Sequence, residues 1–165
     1  MKIRVLKLGT VCHDTATELD GTLTHWTIGM EGYIRYYFQP KGLNNEGMPV
    51  KKMVVGEKRL EVTDENFEMV DVPFDILGTQ VTDNASGFTG MAIGFIRHIN
   101  GCFHVFIQPK GRLTKTNNAF EDTDFDLRGC VGEKIPVLSP EECRQSEEEA
   151  PSPTSGVLPR EVPRV

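Results

Sequence analysis

Hydrophobic and polar residues alternate in short runs along this chain, and a period of two is typical of half-buried β-strands. The clearest run places Ile34, Tyr36 and Phe38 on one side of a strand, with Arg35 and Tyr37 on the other. Most other apolar runs are also short and rich in β-branched and aromatic residues, which favours strands over helices. The sequence therefore predicts an all-β protein, with strands at residues 22–28, 33–38, 91–97 and 102–107.

Two of these strand pairs belong to an internal repeat. Residues 8–43 match residues 77–112 without a gap, at a constant shift of 69 positions. Both copies end in Gln-Pro-Lys-Gly, and most of the other shared residues are turn-formers, which indicates two copies of one folding unit. The other identities are Leu8/Leu77, Gly9/Gly78, Thr10/Thr79, Asp14/Asp83, Ala16/Ala85, Gly21/Gly90 and Gly32/Gly101.

The repeat predicts the domain organisation. Strand-turn-strand units with glycine-rich turns resemble small SH3-like barrels, which mostly act as binding modules. We therefore expect two tandem barrel modules, at residues 1–70 and 71–138, or else one pseudo-symmetric sandwich. Modules of this size bury only about 60% of their unfolded surface, so they should pack on each other or on a partner. Residues 139–165 are acidic and then proline-rich, which predicts an extended tail.

Several local features have a direct structural interpretation. A short leading strand is predicted before each copy, at residues 2–8 and 72–76. Asp14 and Asp83 should accept a backbone N–H in an Asx turn. Gly21 and Gly90 stand where a positive φ or a close backbone approach is needed. Trp26, which matches Phe95, is expected in the core.

The second face of the return strands is too apolar for an ordinary solvated surface. It carries Tyr33, Arg35 and Tyr37 in the first copy, and Cys102, His104 and Phe106 in the second. Either this face packs against the other module or it binds a partner. We name Tyr33, Arg35, Tyr37, His104 and Phe106 as candidate partner-binding residues.

The tail offers a second candidate contact. Val157, Leu158 and Val162 are apolar residues set among prolines, as suits an extended arm laid into a groove or along a sheet edge. The alternative is a solvated acidic tail that aids solubility. We expect removal of residues 151–165 to leave both modules folded but to weaken assembly.

Charge and composition exclude several classes. The net charge is −6, and neither module has the excess of Lys and Arg that phosphate backbones require, so we expect no nucleic acid binding. No apolar run approaches the roughly 20 residues of a membrane span, so we expect no membrane association. The four cysteines lack metal-ligand spacing and are interpreted as free thiols of a reducing compartment.

No catalytic signature is present. His13, Asp14 and Asp20 suggest acid–base chemistry, but His13 and Asp20 correspond to threonines in the second copy. The acidic residues at 122, 124 and 126 imitate the start of a calcium loop, yet Leu127 takes the place of the required glycine. We predict no enzyme activity, no cofactor and no metal site.

One resemblance bears on function. Leu-Gly-x-x-Val-x-Asp-x-Ala-Ser-Gly-Phe-x-Gly at residues 77–90, then Ile-Asn-Gly-Cys at 99–102 and Gln-Pro at 108–109, resembles a family of short bacteriophage proteins of unknown function. The first copy departs from this pattern at Glu18-Leu19 and at Tyr33.

The resemblance implies a phage origin. We expect a non-enzymatic protein that binds other subunits in an oligomeric assembly, most simply a virion component such as a capsid decoration or a tail or baseplate accessory. It would occupy the host cytoplasm and then the virion. The alternative is a host-directed protein that inhibits a host or defence factor or sequesters a small signalling molecule.

Overall fold

The computed structural model describes residues 1–111 and 121–135, and the account below concerns these residues. They form β-strands joined by turns and a few single-turn 3-10 helices, with no α-helix among them. The all-β prediction is confirmed. The strands are β1 (Lys2–Leu6), β2 (Val11–Asp14), β3 (Leu19–Gly29), β4 (Ile34–Pro40), β5 (Met53–Val55), β6 (Leu60–Glu61), β7 (Phe67–Asp71), β8 (Gln80–Asp83), β9 (Thr89–His98), β10 (Phe103–Gln108), β11 (Thr123–Asp126) and β12 (Cys130–Gly132).

Ten of these strands belong to one antiparallel sheet, while β1 and β7 pair separately. Along one edge β3 pairs with β4; along the other it pairs first with β2 and then with β9. The β9 strand is arranged in the same way: it pairs with β10 along one edge, and with β8 and then β3 along the other. No sheet closes on itself in the described part of the chain, so the SH3-like barrel part of the prediction is not confirmed.

The two copies of the repeat are joined by pairing the same strand from each, β3 with β9. Thr27 pairs with Ile96, and these are equivalent positions of the repeat. His25 pairs with His98, whereas their repeat equivalents Gly94 and Gly29 pair with each other. The register therefore has local two-fold symmetry centred on the Thr27–Ile96 pair, as in an isologous dimer interface.

The two copies also share irregular features. The ladder shifts by one residue at Thr24 in β3 and at the equivalent Ile93 in β9, each a β-bulge. Beyond the ends of the shared ladder, Ile99 N–H donates to Thr24 O at 3.0 Å and Met30 N–H donates to Ile93 O at 3.2 Å. A bulge redirects a strand, so identical bulges bend both copies in the same way.

A single hydrophobic cluster underlies both copies. It contains Trp26 and Phe95, both fully buried, which confirms the prediction that Trp26 is a core residue. The β1–β7 pair contributes to the same cluster through Val5, Leu6 and Val70. Of the inward residues predicted for the first return strand, Tyr36 and Phe38 are fully buried and Ile34 packs against the cluster. The equivalent Val105 and Ile107 of β10 are fully buried as well.

The leading strands differ from the prediction. The strand predicted at residues 2–8 is present as β1, at Lys2–Leu6. The strand predicted at residues 72–76 is absent, because residues 74–76 form a 3-10 turn. Pro73 precedes this turn and has no N–H to donate to a ladder, which disfavours a strand there. The Asx turns are confirmed: Ala16 N–H donates to Asp14 Oδ1 at 3.4 Å and Ser86 N–H donates to Asp83 Oδ2 at 2.8 Å.

A buried hydrogen bond ties β1 to the large sheet. Leu6 N–H donates to Tyr36 Oη at 3.0 Å, and both residues are fully buried. Tyr36→Phe would leave the Leu6 N–H without a partner, and we expect a loss of about 1–2 kcal/mol in the free energy of unfolding. Urea denaturation would measure this loss. Tyr33→Phe is the control, because Tyr33 is 75% exposed. Equal midpoints for the two variants would contradict the assignment.

Candidate partner-binding face

The residues selected for partner binding lie on one face of the large sheet. Arg35 and Tyr37 belong to β4, His104 and Phe106 belong to β10, and Tyr33 immediately precedes β4. The joined strands β3 and β9 lie between β4 and β10, so alternate residues of four adjacent strands share this face. We call it the open face; besides the five candidates, it comprises His25, Thr27 and Gly29 of β3 and Gly94, Ile96 and His98 of β9.

The two copies contribute to this face side by side. They meet edge to edge through β3 and β9, and the faces in question do not pack on each other. Tyr33 and Arg35 are exposed, while Tyr37, His104 and Phe106 are half-buried. The alternative in which this face packs against the other module is therefore wrong, because hydrogen bonding between strand edges joins the copies instead.

A groove crosses the open face where the two glycines pair. Tyr33, Arg35 and Tyr37 line it from the first copy, and Phe106 lines it from the second. Its volume is about 550 Å³, and Gly29 and Gly94 also line it. Four of the five candidate residues thus meet in one groove, although Phe106 is about 70 positions from the other three. His104 lies in the same row of the sheet as Thr27 and Ile96.

The groove exists because no side chain fills it. A Cβ atom added at Gly94 would lie 2.8 Å from the carbonyl oxygen of Ile28 and 3.2 Å from Gly29 Cα. Such contacts are too short for an L residue with a side chain, so close approach of the backbones of β3 and β9 requires glycine there. Because Gly29 and Gly94 have no side chains, space remains above the β3–β9 pair, and this space is the groove.

The opposite end of the β3–β9 pair carries histidines in place of the glycines. The His25 ring stacks on Tyr37 with centroids 4.0 Å apart, and it lies 5.5 Å from the ring of His98. The His98 and His104 rings meet edge to face at 4.7 Å. His104 Nδ1 is 2.8 Å from Asp124 Oδ2. A row of three imidazoles therefore runs from β3 to β10 and ends at a carboxylate on β11.

Burial keeps the first two imidazoles neutral. Desolvation, and then the proximity of Lys52 and of the His98 ring, lowers the pKa of His25 to about 4. Burial first, and then His104, lowers the pKa of His98, although Asp124 acts in the opposite direction. Both rings thus favour the uncharged form at neutral pH, which leaves a ring nitrogen free to accept a hydrogen bond or bind a metal.

Sequence reasoning missed His25 and His98. A comparison of the two copies pairs residues at the same repeat position, and there His25 and His98 correspond to Gly94 and Gly29, so neither stands out. Antiparallel pairing about a two-fold axis instead brings a residue of one copy beside a non-equivalent residue of the other. Only the pairing of β3 with β9 identifies His25 and His98 as neighbours.

The three polar residues that suggest acid–base chemistry do not form one group. His13 Nδ1 lies 2.9 Å from Asp20 Oδ1, and this hydrogen bond is the main cause that raises the pKa of His13. Asp14 is buried and pairs instead with Arg59 and Thr17. The structure therefore does not bring His13, Asp14 and Asp20 together as one group.

The acidic residues of β11 are also divided among neighbours. Asp124 contacts His104, Asp126 pairs with Arg128, and Asp122 lines the groove. Cys12, Cys102 and Cys130 are free thiols, as predicted. The tail candidates Val157, Leu158 and Val162 lie outside the described residues.

The fold and this face define an all-β protein with one open, mixed aromatic and polar sheet surface. Comparison with known proteins adds no identity: no family model, no curated protein and no solved structure matches the chain. Among the described residues, no helix has the length and apolar character needed to cross a membrane.

Proposed function

We propose that the chain is a non-enzymatic binding protein whose open face receives a partner protein subunit. The observation that supports this most is the groove, in which Tyr33, Arg35, Tyr37 and Phe106 from two copies of the repeat meet. Tyrosine and arginine are the residue types that most often dominate binding energy at protein interfaces. They retain partial or full exposure here, so a partner has apolar and cationic surface left to bury.

The groove suits a protein partner better than a polyanion. Arg35 faces it from one side, but Glu31 and Asp122 also line it. The mixture of charges offers little net attraction for a phosphate backbone. Aromatic walls with a few polar groups at the rim instead match the usual anatomy of a protein interface.

The narrower proposal is that the partner belongs to a phage particle. Its support is the resemblance of residues 77–109 to short phage proteins, and the chain would then be a capsid decoration or a tail or baseplate accessory. The apolar residues Val157, Leu158 and Val162 would serve as an arm on a neighbouring subunit. The SH3-like description of each copy is part of the same proposal and rests on the strand-turn-strand pattern.

Quantitative mass spectrometry of purified virions tests this proposal. We expect the wild-type chain at a fixed copy number per particle. An early protein that is missing from particles would instead support the host-directed function, in which the same face inhibits a host factor or the chain sequesters a small molecule.

Truncation of the groove walls should weaken assembly. We expect Tyr33→Ala combined with Phe106→Ala to reduce incorporation at least tenfold, since loss of a buried aromatic anchor costs about 2 kcal/mol or more. Circular dichroism should show that the variant remains folded, because neither side chain is fully buried. Met69→Ala is the matched control: Met69 is 61% exposed and lies on β7, in the other sheet. Equal incorporation of both variants would contradict the proposed face.

A further inference from the structure

The end of the open face that carries histidines holds a compact group of potential metal ligands. His98 on β9, His104 on β10 and Asp124 on β11 each offer one ligand atom, and these three atoms lie within 4.8 Å of one another. The strands that carry them are consecutive neighbours in the sheet, so the backbone holds the three residues in place. Sites built on strands are better positioned than sites on loops.

A second observation points to a ligand. His98 Nε2 is buried and has no hydrogen-bond partner among the described residues. Buried polar atoms nearly always have a partner, and one without a partner requires an explanation. A buried imidazole nitrogen without a hydrogen-bond partner is a potential ligand atom for a metal ion.

The hydrogen bond between His104 and Asp124 is consistent with metal binding. Ligating histidines commonly donate their second ring N–H to a carboxylate, which fixes the ring and raises its basicity. His104 Nδ1 and Asp124 Oδ2 are 2.8 Å apart and form such a pair. This contact holds His104 and Asp124 side by side, so that one ion can bind both.

The ligand types select a class of metal. Two imidazoles and one carboxylate suit zinc and neighbouring divalent transition metals, while calcium and magnesium prefer sets of oxygen atoms. A tetrahedral ion with bonds of about 2.0–2.1 Å holds its ligand atoms roughly 3.3 Å apart. The three candidate atoms lie within 4.8 Å of one another, so a small side-chain adjustment brings them to this spacing, and Asp124 on β11 has room to make it because its side chain is 45% exposed.

The first copy of the repeat lacks the ligand set. Gly29 and Arg35 stand where the second copy has His98 and His104. Val54 pairs with Tyr37 as Asp124 pairs with Phe106, so Val54 stands where Asp124 does. Within the described part of the repeat, this set therefore forms only in the second copy.

We propose that His98, His104 and Asp124 bind a single divalent transition-metal ion of the zinc class, with a fourth coordination position open to water. This metal site is separate from the partner-binding groove, because the two lie at different ends of the open face. The charged and titratable groups around the cluster are Lys52 and His25 beside His98, and Asp126 with Arg128 beside His104.

Metal titration of the full-length, untagged chain after treatment with a chelator tests the site. We expect one Zn²⁺ per chain by calorimetry, and one Co²⁺ with the visible absorption band of tetrahedral cobalt. His98→Ala, His104→Ala and Asp124→Asn should each lower the affinity about 10-fold to 100-fold, the range for loss of a ligand or of its orienting partner. His13→Ala is the matched control, because His13 is also a half-buried histidine paired with an aspartate.

Folding of the variants is checked by circular dichroism. Should His98→Ala unfold the chain, the half-buried His104 and the more exposed Asp124 provide variants that leave the core intact. Absence of the cobalt band in the wild type would overturn the proposal. Zn²⁺ bound equally well by the His104→Ala, Asp124→Asn double variant would also overturn it, because the ion would then belong to other acidic residues.

Discussion

Gly90→Val is expected to lower the free energy of unfolding by about 3 kcal/mol or more, because it forces a side chain against the backbone of a neighbouring strand. A Cβ atom at Gly90 would overlap the carbonyl oxygen of Gln108. That oxygen belongs to β10, which pairs with β9 along most of its length, so the strand cannot move away without loss of hydrogen bonds. Gly21 stands in the same relation to Gln39 in the first copy.

Urea denaturation monitored by tryptophan fluorescence would measure this effect, since Trp26 is fully buried. Gly56→Val is the matched control: a Cβ there meets no atom within 4 Å, and Gly56 has an extended backbone with φ −88°. We expect Gly56→Val to unfold close to the wild-type midpoint. Equal midpoints for Gly90→Val and Gly56→Val would contradict the close approach of the strands.

Asp14→Asn is expected to destabilise the protein by about 2–3 kcal/mol at neutral pH, the range for hydrogen bonds to a charged group. Asp14 is fully buried and accepts hydrogen bonds from Arg59 Nε at 2.9 Å and from Thr17 Oγ1 at 2.6 Å. Asparagine keeps the size of the side chain but removes the charge that pairs with Arg59. Asp64→Asn is the control, because Asp64 is 99% exposed in its pair with Arg4.

The same carboxylate should govern stability in acid. The hydrogen bonds from Arg59, which outweigh the opposing effect of burial, lower the pKa of Asp14 to about 2 in the folded state. In the unfolded chain its pKa is about 3.9. The stabilisation is therefore complete above about pH 4 and is lost as the pH falls through 2. Unfolding free energies measured between pH 6 and pH 2 should fall less steeply for Asp14→Asn than for wild type, and parallel curves would refute this role.

Local features of the fold were predictable from the sequence because their causes lie within a few residues. The Asx turns follow from Asp14 and Asp83, whose side chains reach their own backbone. Gly21 and Gly90 were expected at a positive φ or a close approach, and the structure shows close approach to Gln39 and Gln108. Alternation along β4 and β10 also separated core residues from surface residues correctly.

The joining of the two copies was not predictable in the same way. Pairing of β3 with β9 depends on contacts between residues about 70 positions apart, and many registers satisfy the alternation of either strand alone. The sequence comparison aligned His25 with Gly94, whereas the sheet sets His25 beside His98. The sequence pattern therefore predicts Tyr33, Arg35, Tyr37 and Phe106 as separate surface residues. It does not predict that they meet in one groove, and it does not predict the row of imidazoles.

Photo-crosslinking from the open face tests the central claim most directly. A photoreactive phenylalanine analogue would replace Tyr33, and in a second variant Met69. Both positions are exposed; Tyr33 immediately precedes β4 of the large sheet, whereas Met69 lies on β7 in the other sheet. Under the proposed virion function, irradiation of infected cells and of purified particles should give a covalent adduct with one phage structural protein from position 33 and none from position 69. Adducts from position 69 alone, or none from position 33 in particles that contain the chain, would contradict it.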